Sequence, residues 1–221
     1  MKRFVISFLF LLLIIGVNAQ DDSTPTDFLS KEFHKERREA LRKLLPKNSV
    51  AVFFANPVRN RANDVDYVYH QDPNFYYLTG YREPHAVLLI FSDDQKNDDQ
   101  TFNEAIFVQE RNAMAELWTG KRLGVEGVKE KLGFENVYNG IDFIQAEIDF
   151  DAYEKVLFFN FQNDVRDSKR DSADLHDLIE SFKQKAGYTS VIDRSQAHKR
   201  AYDLIKSTDI ANSANVARVL G

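Results

Sequence analysis

The chain has 221 residues, 43% of them apolar and 13% aromatic, which is enough to fill a core and excludes wholesale disorder. Asp and Glu outnumber Lys and Arg by 34 to 29, and a net charge of -5 gives no global positive field for holding nucleic-acid phosphates. With no cysteine, the chain can form no disulfide, thiolate metal site, thiol nucleophile or lipoprotein anchor.

The first segment reads as an address. Met1-Lys2-Arg3 is a basic start, and Phe4 to Val17 is an apolar run broken only by Ser7 and Gly16. Val17-Asn18-Ala19 then fits the small-x-small rule of signal cleavage. A helix over that run spans roughly 21 Å, short of the roughly 30 Å hydrocarbon core. Residues 1–19 are therefore expected to be a cleavable signal peptide, with an uncleaved signal anchor as the alternative. Loss of Lys2 and Arg3 would carry the net charge from -5 to -7. The expected mature protein is exported, periplasmic or secreted, acidic, and without a stable membrane anchor.

Residues 20–29 read as a polar linker. Ser30 can cap a helix running to Leu45, before Pro46, with Phe33, Ala40, Leu41, Leu44 and Leu45 on one face and Glu39 paired with Lys43. Ser49 to Ala55 is a continuous apolar, β-rich run, which suits a strand buried on both faces. Ala86 to Phe91, Ala105 to Val108 and Val156 to Phe159 behave alike, and the polar stretch Asp93 to Asn103 suggests an exposed hairpin loop. Helices are expected near Gly124 to Leu132, Ile141 to Ile148 and Ser168 to Ala186, followed by a short strand at Thr189 to Ile192. Buried-type strands alternating with helices predict one α/β domain with a mixed sheet over residues 30–195.

Catalytic constellations are sparse. There is no GxGxxG, GxxxxGK[ST], HExxH or GxSxG. His34 and His176 fall on the polar faces of predicted helices and read as solvated, whereas His70 and His85 lie in loops beside prolines. No two histidines share a ligand spacing with a carboxylate, so no histidine-built metal site is expected. The acidic pairs Asp21-Asp22, Asp93-Asp94 and Asp98-Asp99 read as solubilising loops.

Two stretches do not read as routine surface. Arg59 to Tyr81 (RNRANDVDYVYHQDPNFYYLTGY) sets five tyrosines among Arg61, Asp64 and Asp66, which suggests a contact surface. Arg111 to Gly124 (RNAMAELWTGKRLG) holds the only tryptophan, Trp118. Spacing alone favours a core residue at a helix end for Trp118, with a contact residue as the alternative.

These two stretches, together with SVAVFFANP, YREPHAVLLI and Ile205-Lys206-Ser207, resemble the N-terminal domain of aminopeptidase P in the creatinase/prolidase family. The resemblance implies a mixed sheet flanked by helices, with ribonuclease H-like topology. It also implies that the catalytic pita-bread domain would lie after Gly221, residues 196–221 being the junction and the start of its first helix. That domain would carry two divalent metals, usually manganese, held by two Asp, one His and two Glu, for two-metal hydrolysis of the bond before proline. No catalytic residue and no metal ligand is then expected in this chain, which would be inactive alone.

By the same resemblance the N-domain serves assembly of a homo-oligomer, dimer or tetramer, and gating of a peptide substrate with proline at its second position. Asp64 and Trp118 match the positions that approach a neighbouring subunit's site, although Asn63 before Asp64 and Thr119 after Trp118 depart from the family pattern. The residue types suit the task. A carboxylate can hold a peptide's ammonium, and an indole face can take a proline ring. Two alternatives stay open: Asp64 as a turn cap with Trp118 in the core, and a stand-alone, non-catalytic binding or assembly module. A carboxylate-dependent nuclease is disfavoured by the acidic charge, and no nucleic-acid partner is expected.

Overall fold

The computed structural model describes residues 29–97, 100–167 and 172–187. The expected signal peptide, nearly all of the linker, the strand at Thr189 to Ile192 and the junction at 196–221 lie outside the described residues. Among the described residues no helix is long and apolar enough to cross a membrane.

Helix α1 (Lys31–Leu44) leads into strand β1 (Ser49–Phe54). A small hairpin, β2 (Asn60–Ala62) and β3 (Val65–Asp66), precedes α2 (Pro73–Thr79). The long pair β4 (Val87–Asn97) and β5 (Gln100–Val108) is followed by α3 (Ala113–Thr119), α4 (Gly124–Leu132), β6 (Val137–Asn139) and α5 (Gly140–Gln145). A 3-10 turn at Phe150–Ala152, β7 (Lys155–Phe158) and α6 (Leu175–Lys185) complete the order. Five strands form one mixed sheet in the order β6-β5-β4-β1-β7. β4 runs antiparallel to both β1 and β5, whereas β1–β7 and β5–β6 are parallel.

The continuous apolar runs are buried because the sheet is covered on both sides. Ala51, Phe53, Leu88, Ile90 and Ile106 face Leu41, Phe75, Leu78, Val128 and Phe134 from the first helical layer. Their strand neighbours Val50, Val52, Val87, Leu89 and Phe107 face Phe143, Phe150, Leu178 and Phe182 on the other. The period of two along each strand divides these residues between the two cores.

Several expectations change. The stretch Asp93 to Asn103 is exposed but largely extended: β4 and β5 continue as a ladder to the Asn97–Gln100 pair, after a register shift between Ile90 and Gln95. Polar composition there marks an extended ribbon rather than a loop, with Phe102 still packed on Phe91. Of the helix expected over Ser168 to Ala186, the described part runs over Leu175–Lys185, where Asp174 accepts the Asp177 N–H at 3.0 Å, and residues 168–171 lie outside the described residues. On α1 the face turned to the core carries His34, Arg38 and Leu41, while Leu44 is half exposed. Glu39 pairs with Arg42 rather than Lys43.

His34 is 2% exposed, so the solvated reading is wrong. Its Nδ1–H donates to the Tyr77 carbonyl at 2.8 Å, at the end of α2 where carbonyls need donors. Burial holds its imidazolium below the ordinary histidine range. Gly80 ends α2 in the left-handed region, with φ of 69°. A Cβ there would stand 2.8 Å from His34 Cδ2. Gly80→Ala is therefore expected to destabilise the domain by about 1–3 kcal/mol, from backbone strain and this clash together. A melting temperature equal to the parent's would show that the α1–α2 contact yields freely.

Candidate functional site

One open groove of about 520 Å³ lies beyond one end of the sheet. Its walls include the hairpin residues Asn60 and Asp66, the aromatics Tyr67, Tyr69 and Trp118, and the turn Glu83-Pro84-His85. The turn is a node of hydrogen bonds. The Glu83 carbonyl accepts Gln71 Nε2–H at 2.9 Å, and the Pro84 carbonyl accepts Gln109 Nε2–H at 2.8 Å. His85, held at φ 57°, accepts the Leu175 N–H on Nδ1 at 3.0 Å, which ties the start of α6 to the groove. The loop histidine set apart by sequence thus has a structural task.

The Glu83 carboxylate is fully engaged. Oε1 accepts the Leu123 N–H at 2.8 Å, and Oε2 accepts the Tyr81 hydroxyl at 3.0 Å. Burial, only partly offset by these two donors and by Arg122, raises its pKa above the ordinary range, with Glu116 adding to the rise. The single Tyr69 hydroxyl proton has two acceptors in reach, the Asn56 carbonyl at 3.1 Å and Gln71 Oε1 at 2.9 Å, so its ring is fixed at the wall. Burial also pushes the Tyr69 and Tyr81 hydroxyls up, and neither ionises near neutrality.

Trp118 is 90% exposed, which removes the core reading. It sits on α3, a helix none of whose residues is buried, and Met114 and Leu117 on the same helix are 72% and 76% exposed. Isolated apolar residues on a surface are ordinary, but three on one short helix beside a groove mark a contact surface. Asp64 lies in the exposed turn of the β2–β3 hairpin, outside the groove wall. It is not the turn's cap. Asn60 Nδ2 holds that turn, donating to the Asn63 and Val65 carbonyls at 3.0 and 3.1 Å. The hairpin and α3 therefore border one groove, Trp118 on its wall and Asp64 at the tip of an element that forms another part of it.

Sequence spacing did not anticipate the cluster of Asp167, Asp174, His176 and Asp177, whose ligand-type atoms all lie within 4.8 Å of one another. Chain folding, not spacing, brings Asp167 to the start of α6. The set does not match two Asp, one His and two Glu. Asp174 already caps α6, and Asp177 accepts the Ala173 N–H at 2.9 Å. These carboxylates serve the helix start, so no metal chemistry is assigned to them. Glu83, in the YREPHAVLLI run just after the tyrosine-rich stretch, carried no separate signal. Its role depends on Leu123, which is 40 residues away in the chain.

Residues 34–150 match the family described as the aminopeptidase P, N-terminal domain. The chain is 41% identical over 108 residues to the Xaa-Pro aminopeptidase of Escherichia coli (strain K12), covering 48% of this chain and 23% of that protein. It is 33% identical over 168 residues to intermediate cleaving peptidase 55 of Schizosaccharomyces pombe, covering 75% and 33%. Among solved structures, aminopeptidase P from E. coli with the inhibitor Pro-Leu superposes with a TM-score of 0.55 at 28% identity, over 71% of this chain and 33% of that one. The chain thus spans no more than about a third of the length of these relatives. Strands β1 to β6, helices α2 to α5 and the segment that carries Trp118 lie within residues 34–150, and the chain belongs to the aminopeptidase P N-terminal domain family.

Proposed function

We propose that this chain is the non-catalytic N-terminal domain of an exported Xaa-Pro aminopeptidase, serving oligomer assembly and substrate gating. The observation that carries the reading is Trp118: an indole left in solvent, on a helix that presents Met114 and Leu117 to solvent as well, at the rim of a groove. Such a group gains most when a ligand or a neighbouring subunit covers it. Export rests on the basic start, the apolar run and Val17-Asn18-Ala19.

In this reading the substrate is a peptide with proline at its second position. Trp118 offers a face for the proline ring or the apolar residue beside it, and Asp64 offers a carboxylate for the ammonium. Both act towards the active site of a neighbouring subunit in a dimer or tetramer. The two divalent metals, manganese by family resemblance, are assigned to the catalytic domain and none to this chain. No step of hydrolysis runs through the described residues.

Purified residues 20–221, supplied with manganese and an Xaa-Pro peptide, should release no N-terminal residue above the blank. Metal-dependent release by this piece would contradict the non-catalytic assignment.

A further inference from the structure

We propose that Glu83 is a positioning residue: its carboxylate clamps the segment that carries Trp118 to the Gly80–His85 turn and so fixes where the indole stands at the groove. The inference rests on the reading of Trp118 as a substrate contact.

Packing does not place α3, because none of its residues is buried. Polar contacts within the segment shape it. Arg111 donates twice to Glu116, at 2.6 and 2.9 Å, and Asn112 caps the helix by accepting the Met114 and Ala115 N–H groups. At the base of the segment Arg122 Nη1 donates to the Glu110 carbonyl at 3.2 Å, and Arg111 lies against Gly124, where a Cβ would fall 2.5 Å from Arg111 Cγ. The segment is thereby closed on itself.

Glu83 ties that closed base to the domain. The Leu123 N–H that it accepts belongs to the N-cap residue of α4, a helix with no side-chain cap of its own. A carboxylate there satisfies an otherwise orphaned donor and faces the positive end of the α4 dipole. Glu83 is itself held by Tyr81, which is 0% exposed, and by the Gln71 contact to its carbonyl. One path from the buried core to Trp118 thus runs through Tyr81, Glu83 and Leu123, whose side chain also packs on the core, and then through the four residues 119–122.

The raised pKa means that the ionised form is disfavoured in the fold relative to the unfolded chain. The stability from this group is therefore fully present below the ordinary glutamate pKa and is lost as pH rises through the raised value.

The single tryptophan makes the test direct. Time-resolved anisotropy of Trp118 is measured on the full chain. Glu83→Ala is expected to add fast local motion and lower the anisotropy, and Glu83→Gln, which keeps an acceptor for Leu123, to restore the slow decay. Should Glu83→Ala fail to fold, Tyr81→Phe removes one of the two holds on Glu83 and is expected to give a smaller loss of anisotropy. A folded Glu83→Ala whose Trp118 decay equals the parent's, whatever its melting temperature, would overturn the clamp.

In an enzyme that joins this domain to its catalytic domain, Glu83→Ala should cost activity, and adding it to Trp118→Ala should cost nothing further. If Trp118→Ala leaves cleavage intact while Glu83→Ala still frees the indole, the substrate-contact reading fails and the clamp stands. If Glu83→Ala lowers cleavage with the indole still fixed, the clamp fails and the substrate-contact reading stands.

Discussion

Replacing Arg38 by methionine is expected to cost the domain about 3–5 kcal/mol, a large share of the stability of an ordinary domain. The Arg38 side chain is 0% exposed, and its guanidinium donates to both oxygens of Glu104 at 2.8 and 2.9 Å. A third bond runs from Nη1 to the Leu78 carbonyl at 2.9 Å, and the group lies 3.8 Å from the centre of the Phe134 ring. One side chain therefore links α1, the end of α2, β5 and the loop after α4. Methionine fills much of the volume, but it leaves Glu104, whose side chain is only 16% exposed, with an uncompensated charge. Urea unfolding should show a lowered midpoint with an unchanged slope. The double variant Arg38→Met with Glu104→Met should recover much of the loss, because no charge is then stranded. A loss below about 1 kcal/mol would place this pair among surface ion pairs.

The second large effect concerns activity. In an enzyme that joins this domain to its catalytic domain, Trp118→Ala and Asp64→Ala should each lower kcat/KM by about 5- to 150-fold. That range corresponds to the roughly 1–3 kcal/mol of one lost ring contact or one charge-assisted hydrogen bond. Metal content should stay unchanged, since neither residue is assigned to the metals. Because Trp118 is 90% exposed, its truncation should leave the melting temperature of the separate domain close to the parent's. A lowered melting temperature with normal kinetics would mark Trp118 as a structural residue.

The four main strands were legible because each is a short, unbroken apolar run, and such runs are stable only between two covering layers. β6 was not, since three residues carry no usable period. The core face of α1 was misread because His34 and Arg38 are polar, and only contacts with Tyr77 and Glu104 from elsewhere in the chain make their burial possible. At the site, the tyrosine-rich stretch and the Trp118 segment stood out by composition, and both border the groove. Composition could not separate an exposed Trp118 from a buried one, because Met114, Leu117 and Trp118 at helical spacing describe either face. The Glu83 contact was illegible for a different reason: it joins two segments whose meeting is set by the whole sheet.

Hybrid oligomers test most directly whether this domain lends Trp118 to a neighbouring subunit's active site. Full-length subunits carrying Trp118→Ala are mixed with subunits inactivated at their own metal centre. In the hybrid, an intact metal centre in the first kind of subunit meets an intact Trp118 from the second. The mixture is expected to cleave an Xaa-Pro peptide faster than either variant alone. A mixture no more active than the Trp118→Ala enzyme by itself, with hybrid oligomers shown to form, would contradict the role given to Trp118.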